Sequence, residues 1–93
     1  MNFNEFKIKV EPVFRRYDVV KAALFGSMAR GESTEDSDVD LLVEFKGDKS
    51  LLDLAGLKVD IEELIGRRVD VLTYSSIHPL LRERILREQK VLI

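Results

Sequence analysis

Two aspartates separated by one residue, Asp38 and Asp40, open an apolar run that continues to Phe45. In an extended strand such side chains leave the same face, about 6–7 Å apart at about 3.3 Å per residue. Metal ions in two-metal sites lie about 3.5–4 Å apart, so these carboxylates can reach a shared pair of Mg²⁺ ions. Val39 then points to the other face, into the core. The spacing predicts a two-metal centre.

A third carboxylate, Asp70, stands in another short apolar run, Arg68 to Leu72. If this run forms a strand beside the one that carries Asp38 and Asp40, Asp70 completes the metal site. It would also accept the proton of an attacking hydroxyl. Three acids on two strands are a more specific signal than two acids on one.

The apolar run Val19 to Phe25 leads directly into Gly26-Ser27. We predict that this strand turns at once into a short helix over 27–30, which ends at Gly31. A strand that ends in Gly-Ser before a helix offers unpaired N–H groups to an anion. The glycine allows close approach and the Ser27 hydroxyl adds a donor. We therefore expect phosphate oxygens to bind at this turn.

Arg30 follows this turn closely and has two interpretations. It either faces a bound triphosphate or pairs with Glu32 or Glu35. Five acidic residues lie between Glu32 and Asp40, and mutual repulsion makes that density unfavourable unless solvent or cations relieve it. A metal is one such relief.

The elements that must position these residues follow from periodicity and from turn signals. Pro12 would bend the first helix or mark a break in it, and Ser50 with Asp53 forms a capping-box pair. The predicted order is a helix over 3–16, strands over 19–25 and 38–45, a helix from Ser50 that stops at Gly66, a strand over 69–73, a helix from Pro79 and an apolar tail, 91–93, that packs or pairs as a strand. This order predicts an α/β (α+β) fold, a small mixed sheet with helices packed against it.

Length and composition predict one domain, residues 1–93. The chain has no cysteine, and its apolar runs are too short to span a bilayer, so we expect a cytoplasmic protein without membrane contact. The formal net charge of −2 argues against a protein that binds nucleic acid mainly through phosphate contacts.

The residues quoted above resemble the nucleotidyltransferase superfamily related to DNA polymerase β. Its signature is Gly-Ser, a spacer, Asp-x-Asp on a strand and a later Asp, matched here by Gly26-Ser27, Asp38-Val39-Asp40 and Asp70. Within it, Gly-Ser-x-Ala-Arg-Gly-Glu followed by Ser-Asp-x-Asp-Leu-Leu-Val resembles the minimal nucleotidyltransferase (MNT) domains over nearly the whole chain.

The resemblance implies a polymerase β-like core that uses Mg²⁺, as two ions and with Mn²⁺ as an alternative, and ATP as substrate. It implies an antitoxin that transfers AMP to a tyrosine of a HEPN-domain ribonuclease toxin, its partner in a hetero-oligomer. Two alternatives stay open: an antitoxin that neutralises its toxin by binding alone, and a nucleotidyltransferase subunit acting on a small molecule or nucleic acid.

Overall fold

The computed structural model describes residues 2–31 and 38–93. Within these ranges the chain forms three α-helices, four strands and one 3₁₀ turn, in an order that matches the sequence prediction except between the first two strands. The elements are α1 (Phe3–Arg16), β1 (Val19–Phe25), β2 (Val39–Phe45), α2 (Leu51–Ile65), β3 (Val69–Thr73), the 3₁₀ turn (Tyr74–Ser76), α3 (Pro79–Glu88) and β4 (Lys90–Val91). No helix of the described ranges is long and apolar enough to cross a bilayer.

The four strands form one mixed sheet in the order β3-β2-β1-β4. Strands β1 and β2 pair antiparallel, β2 and β3 pair parallel, and β4 pairs antiparallel with β1. A parallel pair needs a long crossover connection, and α2 supplies it between β2 and β3. The predicted mixed sheet is confirmed, and the apolar tail both pairs as a strand and buries Leu92.

Alternation along β2 divides the core between the two faces of the sheet. Val39, Leu41 and Val43 are fully buried in the main cluster, together with apolar residues of α1 and α2. Leu42 points to the other face, where it packs in a smaller cluster with the 3₁₀ turn and α3. Because side chains alternate in a strand, Asp40 lies on the same face as Leu42, away from the main core.

Local signals fix both ends of α2. The Ser50 Oγ accepts a hydrogen bond from the Asp53 N–H, and the Asp53 carboxylate accepts one from the Ser50 N–H at 2.9 Å. At the other end Gly66 adopts a left-handed φ of 70°, as helix-ending glycines commonly do. The predicted capping box and helix stop are therefore confirmed, and they set where the parallel strand β3 begins.

Helix α1 continues through Pro12 without a break. Proline removes one hydrogen bond from a helix interior, but here the buried residues Val10, Val13 and Phe14 anchor the helix on both sides of it. Of the two alternatives for Pro12, the break is thus wrong.

Candidate active site

Two of the three predicted carboxylates are direct neighbours across the parallel pair. Asp40 of β2 and Asp70 of β3 are register partners. Side chains at paired positions of neighbouring strands leave the same face, and the strands lie about 4.8 Å apart. Asp38 immediately precedes β2, which begins at Val39 rather than at Asp38. The sheet therefore brings Asp40 and Asp70 together at one end, with Asp38 beside them.

The predicted phosphate turn lies on the other side of Asp40. Gly26 follows β1, whose last residue, Phe25, is paired with Asp40. It has a left-handed φ of 71°, and a Cβ added there would overlap the Asp40 carboxylate. Only glycine combines that φ with such a close approach. Asp70 on β3, Asp40 on β2 and Gly26 directly after β1 thus lie side by side at this end of the sheet.

The helix predicted over 27–30 is wrong. Gly26 and Gly31 both have left-handed φ values, and among the described residues this segment has a single α-type hydrogen bond, from the Arg30 N–H to the Gly26 carbonyl at 3.2 Å. The segment is a hydrogen-bonded turn, so no helix dipole aids an anion there. Within the described ranges the N–H groups of Ser27, Met28 and Ala29 have no backbone acceptor, which leaves donors for phosphate oxygens.

The electrostatics of the site centre on Asp40. Burial raises the pKa of its carboxyl above the ordinary range, the charges of Asp70 and Asp38 raise it further, and Arg30 opposes them. Asp38 and Asp70 are themselves exposed to solvent. Asp40 therefore interacts electrostatically with both acidic neighbours and with Arg30, as expected of a partly buried carboxylate on a central strand.

Arg30 lies within reach of the carboxylates and is also tied to the last helix. Its guanidinium is 3.5 Å from the Glu88 carboxylate of α3. Of the pairings predicted for Arg30, those with Glu32 and Glu35 lie outside the described residues. Sequence reasoning missed Glu88, because a contact between residues this far apart leaves no local pattern.

The acids fit a divalent cation in chemical type and charge. Within residues 2–31 and 38–93, no three His, Cys, Asp or Glu side chains form a closed metal-binding group. Mg²⁺ does not require such a cage, since it is commonly held by one or two carboxylates together with substrate phosphates and water. Asp40, whose raised pKa a cation would offset, and its register partner Asp70 suit that mode of binding.

A cleft of about 480 Å³ opens beside the two paired carboxylates. One stripe of α2 forms a wall, with residues at helical i, i+3, i+4 and i+7 positions, and the edge strand β3 forms another. Its lining consists of Phe25, Asp40, Leu51, Leu54, Ala55, Lys58, Asp70, Val71 and Leu72. The sequence did not predict this cleft, because it forms where two separate segments of the chain meet.

A mixed sheet that sets two paired carboxylates beside an open N–H turn is suited to transfer of phosphorus-containing groups. The model of the nucleotidyltransferase domain family matches residues 7–92. The chain belongs to this family and is a nucleotidyltransferase.

Relatives at high identity agree with this assignment. A Methanocaldococcus jannaschii protein, provisionally named a protein adenylyltransferase, is 57% identical over 88 residues, which is 95% of each chain. The protein adenylyltransferase MntA of Thermococcus cleftensis is 44% identical over 73 residues, covering 78% of this chain and 74% of its own.

Solved structures share the fold. One, provisionally named a minimal nucleotidyltransferase, superposes with a TM-score of 0.80 at 43% identity over 96% of this chain and 94% of its own. An MNT antitoxin in complex with a tri-AMPylated HEPN toxin, from Shewanella oneidensis, superposes with a TM-score of 0.75 at 17% identity over 97% of this chain and 71% of its own. The polymerase β-like core expected from the sequence is confirmed.

Proposed function

We propose that this chain, acting as one domain over residues 1–93, transfers AMP from ATP to a hydroxyl of a partner protein, a tyrosine of a HEPN-domain toxin, and so acts as an antitoxin. The observation that carries the proposal is that Asp70 and Asp40, paired on adjacent strands, lie beside the turn that begins at Gly26 after the third strand. The names of the relatives support it, since both refer to adenylyl transfer to protein. The AMPylated toxin bound to the Shewanella antitoxin supports the class of partner.

The residues have distinct roles in this proposal. The open N–H groups after Gly26, with the Ser27 hydroxyl, bind the β- and γ-phosphates, and Arg30 offsets their charge. Asp38, Asp40 and Asp70 hold Mg²⁺, as two ions and with Mn²⁺ as an alternative. The bound metal would neutralise the phosphates and lower the pKa of the acceptor hydroxyl.

The reaction is an in-line displacement at the α-phosphorus of ATP. The acceptor oxygen forms a bond to that phosphorus while the bond to the bridging oxygen of the β-phosphate breaks, and pyrophosphate leaves. Asp70, exposed on the edge strand, accepts the proton of the acceptor hydroxyl. Most of the rate enhancement comes from positioning and charge neutralisation.

Label transfer tests the proposal directly. The chain is incubated with a candidate HEPN-domain partner from the same organism, Mg²⁺, and ATP labelled at either the α- or the γ-phosphate. We expect protein-bound label from the α position alone, lost in Asp38→Asn and Asp40→Asn. Asp48→Asn is the matched control, because Asp48 is an exposed carboxylate in the turn after β2, remote from the acids in the chain.

Two outcomes would contradict the proposal. Label from the γ position would indicate phosphoryl rather than nucleotidyl transfer. A tight complex that silences the HEPN protein without any label would mean that the chain neutralises by binding alone.

A further inference from the structure

We infer that the cleft between α2 and the edge strand β3 receives the acceptor side chain of the partner protein, and that Leu51 is a position that recognises it. The inference rests on the proposed function and extends it from the transferred group to the surface that the acceptor must cross. The lining of the cleft includes both the exposed start of α2 and the paired carboxylates Asp40 and Asp70.

The order of the strands decides which side the acceptor comes from. Gly26 and its open turn lie at the end of β1, so the phosphates of the nucleotide occupy the β1 side of Asp40. An in-line displacement requires the incoming oxygen to approach opposite the leaving pyrophosphate. The acceptor therefore arrives from the β3 side, where Asp70 stands and where the cleft opens.

The chemistry of the walls selects the type of acceptor. Apolar side chains form most of the lining, and its charged residues are Asp40, Asp70 and Lys58. A phenol fits that arrangement, since a tyrosine ring is an apolar body with a hydroxyl at its tip. The short side chains of serine and threonine would leave the apolar walls uncovered, and a sugar would find few hydrogen-bonding partners along them.

The start of α2 supplies a matched pair for a test. Leu51 and Leu52 are neighbours with the same exposed fraction, 83%, but only Leu51 lines the cleft. Both occupy the first turn of α2, where a glutamate interacts favourably with the helix dipole. Neither Leu51→Glu nor Leu52→Glu should therefore impair folding, which thermal unfolding of each variant checks.

The experiment measures steady-state transfer of the α-label to the HEPN protein as a function of either substrate. We expect Leu51→Glu to raise the KM for the protein acceptor by about tenfold or more, with the KM for ATP unchanged. Leu52→Glu should leave both values within about twofold of the unsubstituted chain. Mass spectrometry of the product should place AMP on a tyrosine.

Each other result has a distinct meaning. An unsubstituted chain that transfers no label overturns the proposed function, and the cleft inference with it. Normal transfer that Leu51→Glu leaves intact overturns the cleft inference alone. Label on serine or threonine overturns the cleft inference together with the tyrosine acceptor of the proposed function, but leaves AMP transfer to protein standing. A rise in the KM for ATP without a rise for the acceptor would show that the cleft holds the nucleotide base instead.

Discussion

Replacing Gly26 by alanine tests whether the turn after β1 and the central carboxylate form one unit. Two separate effects are expected. Alanine at a left-handed φ costs about 1 kcal/mol or more, and its Cβ would overlap the Asp40 carboxylate. Gly47 isolates the first effect, because its φ of 73° is nearly the same and nothing lies within 4 Å of an added Cβ.

The difference between the two alanine variants measures the contact with Asp40. Both should lose the backbone contribution, and Gly26→Ala should lose about 1–3 kcal/mol more in unfolding free energy, the usual range for overpacking. Urea unfolding gives both values. Activity should separate them further, since a displacement of about 1 Å at a reacting centre lowers a rate about 10²-fold. Gly47→Ala should transfer AMP normally.

A double substitution provides the decisive control. In an Asp40→Ala background the carboxylate that the new Cβ meets is gone, so Gly26→Ala should then cost no more than Gly47→Ala. In a double-mutant cycle, loss of the additional destabilisation of Gly26→Ala over Gly47→Ala indicates direct coupling between residues 26 and 40. Equal costs for the two glycine variants in the unsubstituted chain, together with full activity of Gly26→Ala, would refute the close contact.

Three further changes test the surroundings of the site. Burial and like charges raise the pKa of Asp40, so the folded state binds a proton there more readily than the unfolded state. The contribution of Asp40 to stability therefore falls as the pH rises from the pKa of the unfolded state through that of the folded state. Asp40→Asn should raise the Tm at pH 7 but not in acid, as scanning calorimetry over about pH 4–8 would show. Ser50→Ala removes the side-chain cap of α2 and should cost about 1 kcal/mol. The Ser50 backbone N–H and then its hydroxyl lower the pKa of Asp53, and since alanine removes only the hydroxyl, NMR titration should show a partial rise of that pKa. Leu57→Ala, at a fully buried position, should cost about 2–5 kcal/mol in urea unfolding, whereas Leu52→Ala should change stability by less than about 0.5 kcal/mol.

The features that the sequence predicted well are those with local causes. The ends of α2 follow from Ser50, Asp53 and Gly66, whose effects act within one helical turn. Strands β1 and β3 follow from short apolar runs with the bounds expected, and β2 begins one residue later than expected. The placement of Asp40 beside Asp70 depended on one further assumption, that their strands are neighbours, which the parallel register confirms.

The features that it missed depend on contacts between distant segments or on backbone geometry. The segment after Gly26 reads as a helix from composition, but left-handed conformations at Gly26 and Gly31 leave it too short. The pairing of Arg30 with Glu88 requires α3 to return to the sheet end. The cleft requires α2 and β3 to meet at an edge, and no periodicity in either segment encodes that meeting.

The strand order also explains why the three acids differ in environment. Asp40 lies on a central strand and is partly buried, whereas Asp70 lies on the edge strand and Asp38 precedes a strand, so both are exposed. Burial raises the pKa of the Asp40 carboxyl, and the charges of Asp70 and Asp38 raise it further. Removing either outer charge should therefore lower the pKa of Asp40 toward its ordinary range, and Asp70→Asn should do so more than Asp38→Asn because Asp70 is its register partner. NMR titration of the Asp40 carboxyl in the two variants measures this, and a pKa that neither substitution lowers would mean that burial alone raises it.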